Sequence, residues 1–350
     1  MKLRKVSNNI SIIENLKEFG EKQDYFHLDI RITSKCNYNC YYCTDMHDNK
    51  NPVYDLKIEN IGDMIKNISK YVKKPIHIFL YGGEPTLYPD IGDVMNELAG
   101  YLLEYNVSVN TPLPILEIQS NLALNKKFFR ELCQKISRYI PIVQISGSYH
   151  NNSTTFKKFT SNCIILKENN LLGMITFMYN SRQKQVQKEH KIAKMILGET
   201  HTEISPLICS STSELPTEHE ESPFHEIEYI FKNENINEMA RHSYHFQNTI
   251  PILYEDGSRE MTSRAYMWLN RSNSFKGFRC DVAKERCIID YNGDVYKCFN
   301  EMFSDEYAPV MNINQKKFDS SGYFKNLKII ECPYDKCFFE LEHKKVKSDD

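Results

Sequence analysis

Three cysteines, Cys36, Cys40 and Cys43, stand at C-x3-C-x2-C spacing in the stretch Cys36-Asn37-Tyr38-Asn39-Cys40-Tyr41-Tyr42-Cys43. Thiolate is a soft donor that suits iron–sulfur chemistry, and three close thiols can hold three irons of a four-iron cluster. A loop this short does not easily supply a fourth ligand, so one iron stays open to another molecule. The competing reading is zinc, which wants a fourth Cys or His; His47 follows four residues after Cys43. The chain has eleven cysteines. In a reducing compartment they favour metal or redox use over disulfides. Cys280, Cys298, Cys332 and Cys337 also fall at metal-like positions. Cys133, Cys163, Cys209 and Cys287 stand apart and read as small buried hydrophobes.

The elements that must position these thiols alternate between two periods. Residues 25–32, 75–81, 115–119, 141–145, 174–179 and 202–207 read as strands. Residues 57–71, 91–104, 126–137, 156–168 and 186–197 carry the helical period. Strand alternating with helix implies βαβ units and a parallel sheet. Six units predict an α/β fold built as a partial (β/α)6 TIM-like barrel, open rather than closed. In such folds ligands bind beyond the carboxyl ends of the strands, and the cysteine loop follows the first strand. Gly82 and Gly83 close the second strand and let backbone approach a ligand closely. Glu84, next in line, can accept a hydrogen bond from an ammonium. Ser120-Asn121 ends the third strand and Ser146-Gly147-Ser148-Tyr149-His150 the fourth, and His150 reads as structural.

Beyond residue 207 the rhythm breaks. Residues 208–274 connect through a Ser-, Glu- and Pro-rich loop, a helix over 224–240 and a hairpin over 250–262. Glu218, Glu220, Glu221, Glu226 and Glu228 read as a solvated face. A second hairpin spans 287–299. The two turn at Asp256-Gly257 and Asn292-Gly293, dipeptides that favour two-residue hairpin turns. The predicted organisation is an arm (1–24), a barrel core (25–207), the connecting segment (208–274), a small C-terminal cysteine-rich module (275–340) and a charged, frayed tail (341–350).

The cysteine loop resembles the radical S-adenosylmethionine (radical SAM) superfamily, whose signature is C-x3-C-x-aromatic-C, with Tyr42 at the aromatic position. Gly82-Gly83-Glu84 matches that family's segment for the methionyl amino group. The resemblance implies a [4Fe-4S] cluster on Cys36, Cys40 and Cys43, S-adenosylmethionine at its open iron, and Tyr42 by the adenine. It places Ser120, Asn121, Ser146 and Ser148 by the carboxylate and ribose. Cys280-x12-Gly293-x4-Cys298 resembles the opening of SPASM and Twitch auxiliary-cluster domains. With Cys332 and Cys337 it implies a second [4Fe-4S] cluster, Cys287 being a substitute ligand and zinc the competing reading. The C-x4-C spacing of the last pair departs from the more usual C-x2-C.

The implied chemistry is reductive cleavage of S-adenosylmethionine to a 5′-deoxyadenosyl radical, which takes a hydrogen atom from the substrate. A fully ligated second cluster reads as an electron acceptor, so net oxidation follows. The first expectation is modification of a peptide or protein side chain. The alternatives are dehydrogenation or epimerisation of a sugar, aminocyclitol or other small metabolite, and a non-catalytic zinc scaffold. Expected partners are an electron donor such as flavodoxin or ferredoxin, and a separate leader-peptide-binding protein, since only residues 1–24 precede the first strand. Cys209 is a speculative hydrogen donor. At 41% hydrophobic residues a sizeable core is expected, and a net charge of −2 offers no basic field for nucleic acid or an anionic membrane. No signal peptide and no apolar run of roughly 20 residues is visible, so a cytoplasmic enzyme is expected.

Overall fold

The computed structural model describes residues 6–7, 9–13, 25–40, 42–43, 53–108, 111–151, 153–179, 185–198, 201–206, 230, 232, 243–247, 250–304, 306–335, 337 and 343–347. A short strand, β1 (Ile10–Ile13), comes first. The alternating core follows as β2 (Phe26–Thr33), α1 (Ile61–Tyr71), β3 (Ile76–Gly82), α2 (Ile91–Tyr105), β4 (Ile115–Ser120), α3 (Lys126–Ile136), β5 (Val143–Tyr149), α4 (Phe156–Glu168), β6 (Leu172–Tyr179), α5 (Gln185–Leu197) and β7 (Thr202–Pro206). The C-terminal part holds β8 (Ile250–Tyr254), β9 (Arg259–Thr262), α6 (Arg264–Leu269), β10 (Phe278–Cys280), α7 (Val282–Glu285), β11 (Arg286–Ile289), β12 (Asp294–Tyr296), α8 (Phe299–Met302), β13 (Met311–Asn312), α9 (Ser321–Lys325), β14 (Ile330–Glu331) and β15 (Lys345–Lys347).

Strands β2 to β7 lie parallel and in chain order, as the βαβ rhythm requires. Their outward residues, such as Ile78, Leu80, Leu116, Ile118 and Ile145, are buried with the apolar stripes of the helices, including Met64, Leu98, Leu132 and Leu166. Caps set two helix starts: Asn125 accepts from the Phe128 N–H and Thr155 from the Lys158 N–H. The opposite face of the sheet carries His77, Glu117, Gln119, Gln144, Ser146 and Ser148, because successive side chains of a strand alternate sides. The fold is α/β with an open parallel sheet. Among the described residues no helix is long and apolar enough to cross a membrane.

The ends of the chain depart from the expected layout. The 287–299 hairpin joins the main sheet: β11 pairs parallel with β2, and β12 and β13 extend the edge, giving nine strands in the order β13-β12-β11-β2-β3-β4-β5-β6-β7. The apolar run Cys287-Ile288-Ile289 thus covers the edge that β2 would otherwise expose. A second, antiparallel sheet has the order β14-β10-β15-β1-β8-β9. Lys345–Lys347, expected in a frayed tail, is its strand β15, between β10 and β1. Residues 275–340 therefore contribute strands to both sheets.

Both hairpin turns are longer than the two-residue form expected. Gly257 N–H donates to Tyr254 O and Gly293 N–H to Asp290 O, with Tyr254 paired to Ser258 and Asp290 to Asp294. Only the glycines take positive φ, +80° and +89°. This is the three-residue loop in which glycine fills the left-handed position after a type I turn. The predicted helix over 224–240 and the acidic residues around its start lie outside the described residues, apart from Ile230 and Lys232.

One buried ion pair ties the late hairpin to the core. Arg31 on β2 donates to Asp290 Oδ1 at 2.7 Å, and its guanidinium lies 4.4 Å from the centroid of the Tyr291 ring. Truncating one partner of a buried pair leaves the other charge uncompensated. Asp290→Ala is expected to lower the unfolding free energy by about 3–5 kcal/mol, read from the urea midpoint. A midpoint unchanged from the parent would remove this anchor.

Candidate active site

The cysteine loop leaves β2 at Thr33 and is clamped at both ends. On its return, Leu56 N–H donates to Ile32 O and Ser34 N–H to Tyr54 O, each at 2.9 Å. Thr33 Oγ1 and Lys35 Nζ both donate to the Asp55 carboxylate, at 2.6 and 2.5 Å. The loop is therefore a pinned excursion between two adjacent backbone segments.

The end of β3 docks onto it. Gly83 N–H donates to Thr33 O at 2.9 Å and Glu84 N–H to Lys35 O at 2.6 Å. A Cβ on Gly83 would collide with the carbonyl of Lys35, and one on Gly82, whose φ is +135°, with the carbonyl oxygen of Thr33. The close approach these glycines permit here is to the cysteine loop's own backbone. Glu84 then braces the arrangement. Its Oε1 accepts from Thr86 N–H at 3.1 Å, Thr86 Oγ1 at 2.5 Å and Ser120 Oγ at 2.8 Å; its Oε2 accepts from Asn121 N–H at 2.7 Å. Burial pushes the Glu84 carboxyl up despite these donors. A carboxylate has about four acceptor positions, so Oε2 keeps capacity for an ammonium. Asn121 Nδ2 donates to Asn37 Oδ1 at 2.7 Å, linking the end of β4 to the loop.

Cys36, Cys40 and Cys43 are each partly buried. Burial, then the negative charges of Glu84 and Cys40, push the Cys36 thiol up, while the Tyr38 N–H, 3.4 Å from its Sγ, opposes this. Among the described residues no three His, Cys, Asp or Glu side chains gather as ligands of a single metal ion. A four-iron cluster spreads its thiolates around an iron–sulfur cube instead. The donor set fits such a group: three partly buried thiols on one loop, whose thiolate charges it would bind, leaving one iron unclaimed.

His150 lies in this environment. Its Nδ1 is 2.5 Å from Tyr42 Oη and 3.8 Å from Cys40 Sγ, and its ring stacks on Tyr42 and meets Tyr38 edge-on. Burial lowers its pKa to about 4, so it is neutral near pH 7. Tyr42, expected by an adenine, here packs on His150.

Ser146 and Ser148 lie within β5, which runs to Tyr149, and not beyond its end as expected. Ser146 Oγ donates to Glu117 Oε1 at 2.5 Å and accepts from Met174 N–H at 2.9 Å, while Ser148 Oγ accepts from Gln119 at 2.7 Å. Glu117 also accepts from Gln144 and contacts His77 Nε2, each at 2.9 Å. Burial opposes ionisation of Glu117, but His77 and these donors outweigh it and lower the pKa. Asp29 pairs with Arg286 at 2.8 Å, and Thr176 donates to Glu203 at 2.7 Å. The inner face is thus a continuous polar surface beneath the cysteine loop. The alternation in Phe26-His27-Leu28-Asp29-Ile30-Arg31 and Leu116-Glu117-Ile118-Gln119 was the sequence signal for it.

The late thiols divide between two apolar clusters, Cys332 and Cys337 in the main core and Cys280 and Cys298 apart from it. Cys280 and Cys298 pack with Val282, Ile330 and Tyr334. Cys332 N–H donates to Phe278 O at 2.7 Å, which places Cys332 diagonally across from Cys280 on neighbouring strands. Tyr334 feels the charges of both Cys298 and Cys332, and its hydroxyl is pushed up, chiefly by burial. Cys337 is held through its backbone by Asn273, with bonds of 2.8 and 3.0 Å. Cys287 instead lies in the core on β11, opposite Leu28, and Cys133 and Cys163 are buried on α3 and α4. Cys209 lies outside the described residues.

The Gly83 contact is testable. Gly83→Ala is expected to cost about 1–3 kcal/mol of stability and to depress iron uptake by the early thiols, measured as iron per chain after anaerobic reconstitution. The control is Gly100→Ala, whose Cβ meets only Tyr139 Oη at 3.6 Å. Full iron loading in Gly83→Ala would sink the claim.

The sequence profile described as the Radical SAM superfamily matches residues 30–179. A probable GTP 3′,8-cyclase of Methanocaldococcus jannaschii is 35% identical over 91 residues, 26% of this chain and 29% of that protein. A 7-carboxy-7-deazaguanine synthase of Halobacterium salinarum is 32% identical over 79 residues, 23% and 29% of the two chains. The chain spans less than a third of the length of these curated relatives. The structure of native anSMEcpe with bound AdoMet is similar at a TM-score of 0.53 and 15% identity, over 85% of this chain and 82% of that one. The same protein with AdoMet and the Kp18Cys peptide gives 0.52 and 14%, over 85% and 79%. At these identities the structural likeness concerns the fold. The cysteine loop and the Gly82-Gly83-Glu84 segment both fall inside the matched region, so residues 30–179 carry a radical SAM domain, a family that implies AdoMet and a four-iron cluster.

Proposed function

We propose that this enzyme oxidises a peptide or protein side chain. Cys36, Cys40 and Cys43 hold the radical-generating cluster in this reading. AdoMet lies along the strand ends at Gly82, Gly83, Glu84, Ser120 and Asn121, near Tyr42, with Ser146 and Ser148 below. When bound, the cluster and AdoMet supply a 5′-deoxyadenosyl radical that takes a hydrogen atom from an unactivated carbon. The residues of the chain orient the substrate and exclude water. The polar inner face, with Glu117, Glu203, Asp29 and Arg286, offers donors and acceptors for a polar substrate. Cys280, Cys298, Cys332 and Cys337 would hold a second cluster, within a C-terminal module over 275–340, and that group would supply an acceptor for the electron left on the substrate. Electrons for AdoMet cleavage come from a one-electron donor such as flavodoxin or ferredoxin.

The observation that carries the oxidative reading is the link between the two thiol locations. Phe299 follows Cys298 directly and meets the Tyr81 ring edge-on at 6.1 Å, and Tyr81 precedes Gly82. This contact supports a position for Cys298 near the rim at which the radical would form. The peptide bound in the anSMEcpe structure supports a peptide substrate for this fold. A small polar metabolite is the second reading, favoured by the names of the curated relatives, a GTP cyclase and a deazaguanine synthase.

Anaerobic reconstitution is expected to load about eight irons with matching sulfide, the content of two four-iron clusters. Replacing Cys36, Cys40 and Cys43 with Ala is expected to abolish AdoMet cleavage, followed as 5′-deoxyadenosine; retained cleavage would refute the assignment. Cys298→Ala is expected to keep cleavage but lose oxidised product. Mass spectrometry then separates the substrates: a peptide that loses a hydrogen pair supports the first reading, and turnover confined to a small metabolite supports the second.

A further inference from the structure

The net charge of −2 is unevenly placed along the chain. Residues 126–197 hold thirteen lysines and arginines against three acidic residues. Lys126 and Lys127 open α3, Arg130 follows one turn later, and Lys157 and Lys158 lie in the first turn of α4; all five are exposed. Lys127 reaches Glu131 at 3.7 Å, whereas Lys126, Arg130, Lys157 and Lys158 enter no ion pair among the described residues. Neither first turn holds an acidic residue. The partial positive charge at a helix amino end repels cations, so helix stability does not account for these lysines.

Both helices start beside the cysteine loop. They follow β4 and β5, and so begin at the carboxyl ends of those strands. Asn121, between β4 and α3, donates to Asn37 Oδ1 at 2.7 Å. His150, between β5 and α4, contacts Tyr42 Oη at 2.5 Å and meets Tyr38 edge-on. Asn162 on α4 donates to Leu122 O at 2.9 Å and Leu124 O at 3.0 Å, which ties the approach to α3 against α4. The unpaired cations therefore border one side of the loop that carries Cys36, Cys40 and Cys43.

Complementary charge steers the encounter of two proteins and fixes their orientation. In the proposed function, electrons reach the cysteine loop from outside, one at a time. We infer that Lys126, Arg130, Lys157 and Lys158 form a docking surface for an acidic protein that carries a one-electron centre. This rests on the early cluster of the proposed function, and it names the side from which the reductant approaches.

The test measures binding of the reconstituted full chain to immobilised flavodoxin and to immobilised ferredoxin, both acidic, at low and at physiological ionic strength. AdoMet cleavage is driven separately by each reduced carrier and by dithionite, a small reductant that needs no docking surface. Binding by the parent is expected to weaken as salt rises. Lys126→Glu, Lys157→Glu and Lys158→Glu together are expected to lower carrier binding and carrier-driven cleavage about tenfold, with dithionite-driven cleavage at the parent's rate. The control reverses Lys73, Lys325 and Lys328, which are exposed at the other end of the sheet, where Lys73 precedes β3 and Phe324 meets Phe26. It changes the net charge equally and is expected to bind like the parent. No dithionite-driven cleavage in the parent would overturn the proposed function, and this inference with it. Dithionite-driven cleavage with no binding of either carrier, unchanged binding in the rim variant, or equal loss in the control overturns the docking surface alone. Stronger binding of bulk transfer RNA than of either carrier, lost in the rim variant, overturns it in favour of nucleic acid. Glutamate is favoured at helix amino ends, so the urea midpoint of the rim variant is expected to be no lower than the parent's. Should that variant not fold, glutamine at the same three positions replaces it under the same criteria.

Discussion

Two backbone hydrogen bonds, Gly83 N–H to Thr33 O and Glu84 N–H to Lys35 O, hold the functional rim together. They bring the end of the second parallel core strand against the loop leaving the first, at a separation that excludes a Cβ at Gly82 or Gly83. Once that contact forms, Glu84 is carried under the loop and gathers Thr86, Ser120 and Asn121. A buried carboxylate with good donors on both oxygens is stable only where those donors are held in place. The cysteine loop is thereby referenced to three consecutive strands, β2, β3 and β4, though its described residues form no regular element.

Beneath that rim the sheet separates two kinds of chemistry. The outer face is an aliphatic layer under the helices. The inner face is a network of carboxylates, amides and hydroxyls satisfied largely by one another. Such a face is costly unless its groups are paired or reach water or a ligand. Pairing is extensive here, as in Glu117 with His77, Gln144 and Ser146. In the radical SAM reading, the side turned away from the helices is where a polar substrate would meet the cofactor.

The C-terminal part is woven into this arrangement. The β11 strand covers the free edge of β2, and the Arg31–Asp290 pair seals the join. Phe299, next to Cys298 in the chain, meets Tyr81 at the end of β3. Meanwhile β1 and β15, from near the two chain ends, are neighbours in the second sheet.

Much was legible in the residues alone. The six parallel strands, the five intervening helices and the placement of the cysteine loop after the first strand follow from local periodicity. Each amphipathic segment must bury one face, and βαβ connections leave few choices. The spacing of Cys36, Cys40 and Cys43 could suggest a chemistry because all three lie on one short loop. Local patterns could not reveal what depends on distant partners. The β11–β2 pairing, the packing of Tyr42 on His150, the occupation of Ser146 by Glu117 and the insertion of Lys345–Lys347 as a strand each join residues far apart in the chain. The glycines after β3 illustrate the division. The sequence shows that backbone must come close at Gly82 and Gly83; only the tertiary structure decides that it comes close to Thr33 and Lys35, because which segments meet is set by strand order and not by the pair of glycines.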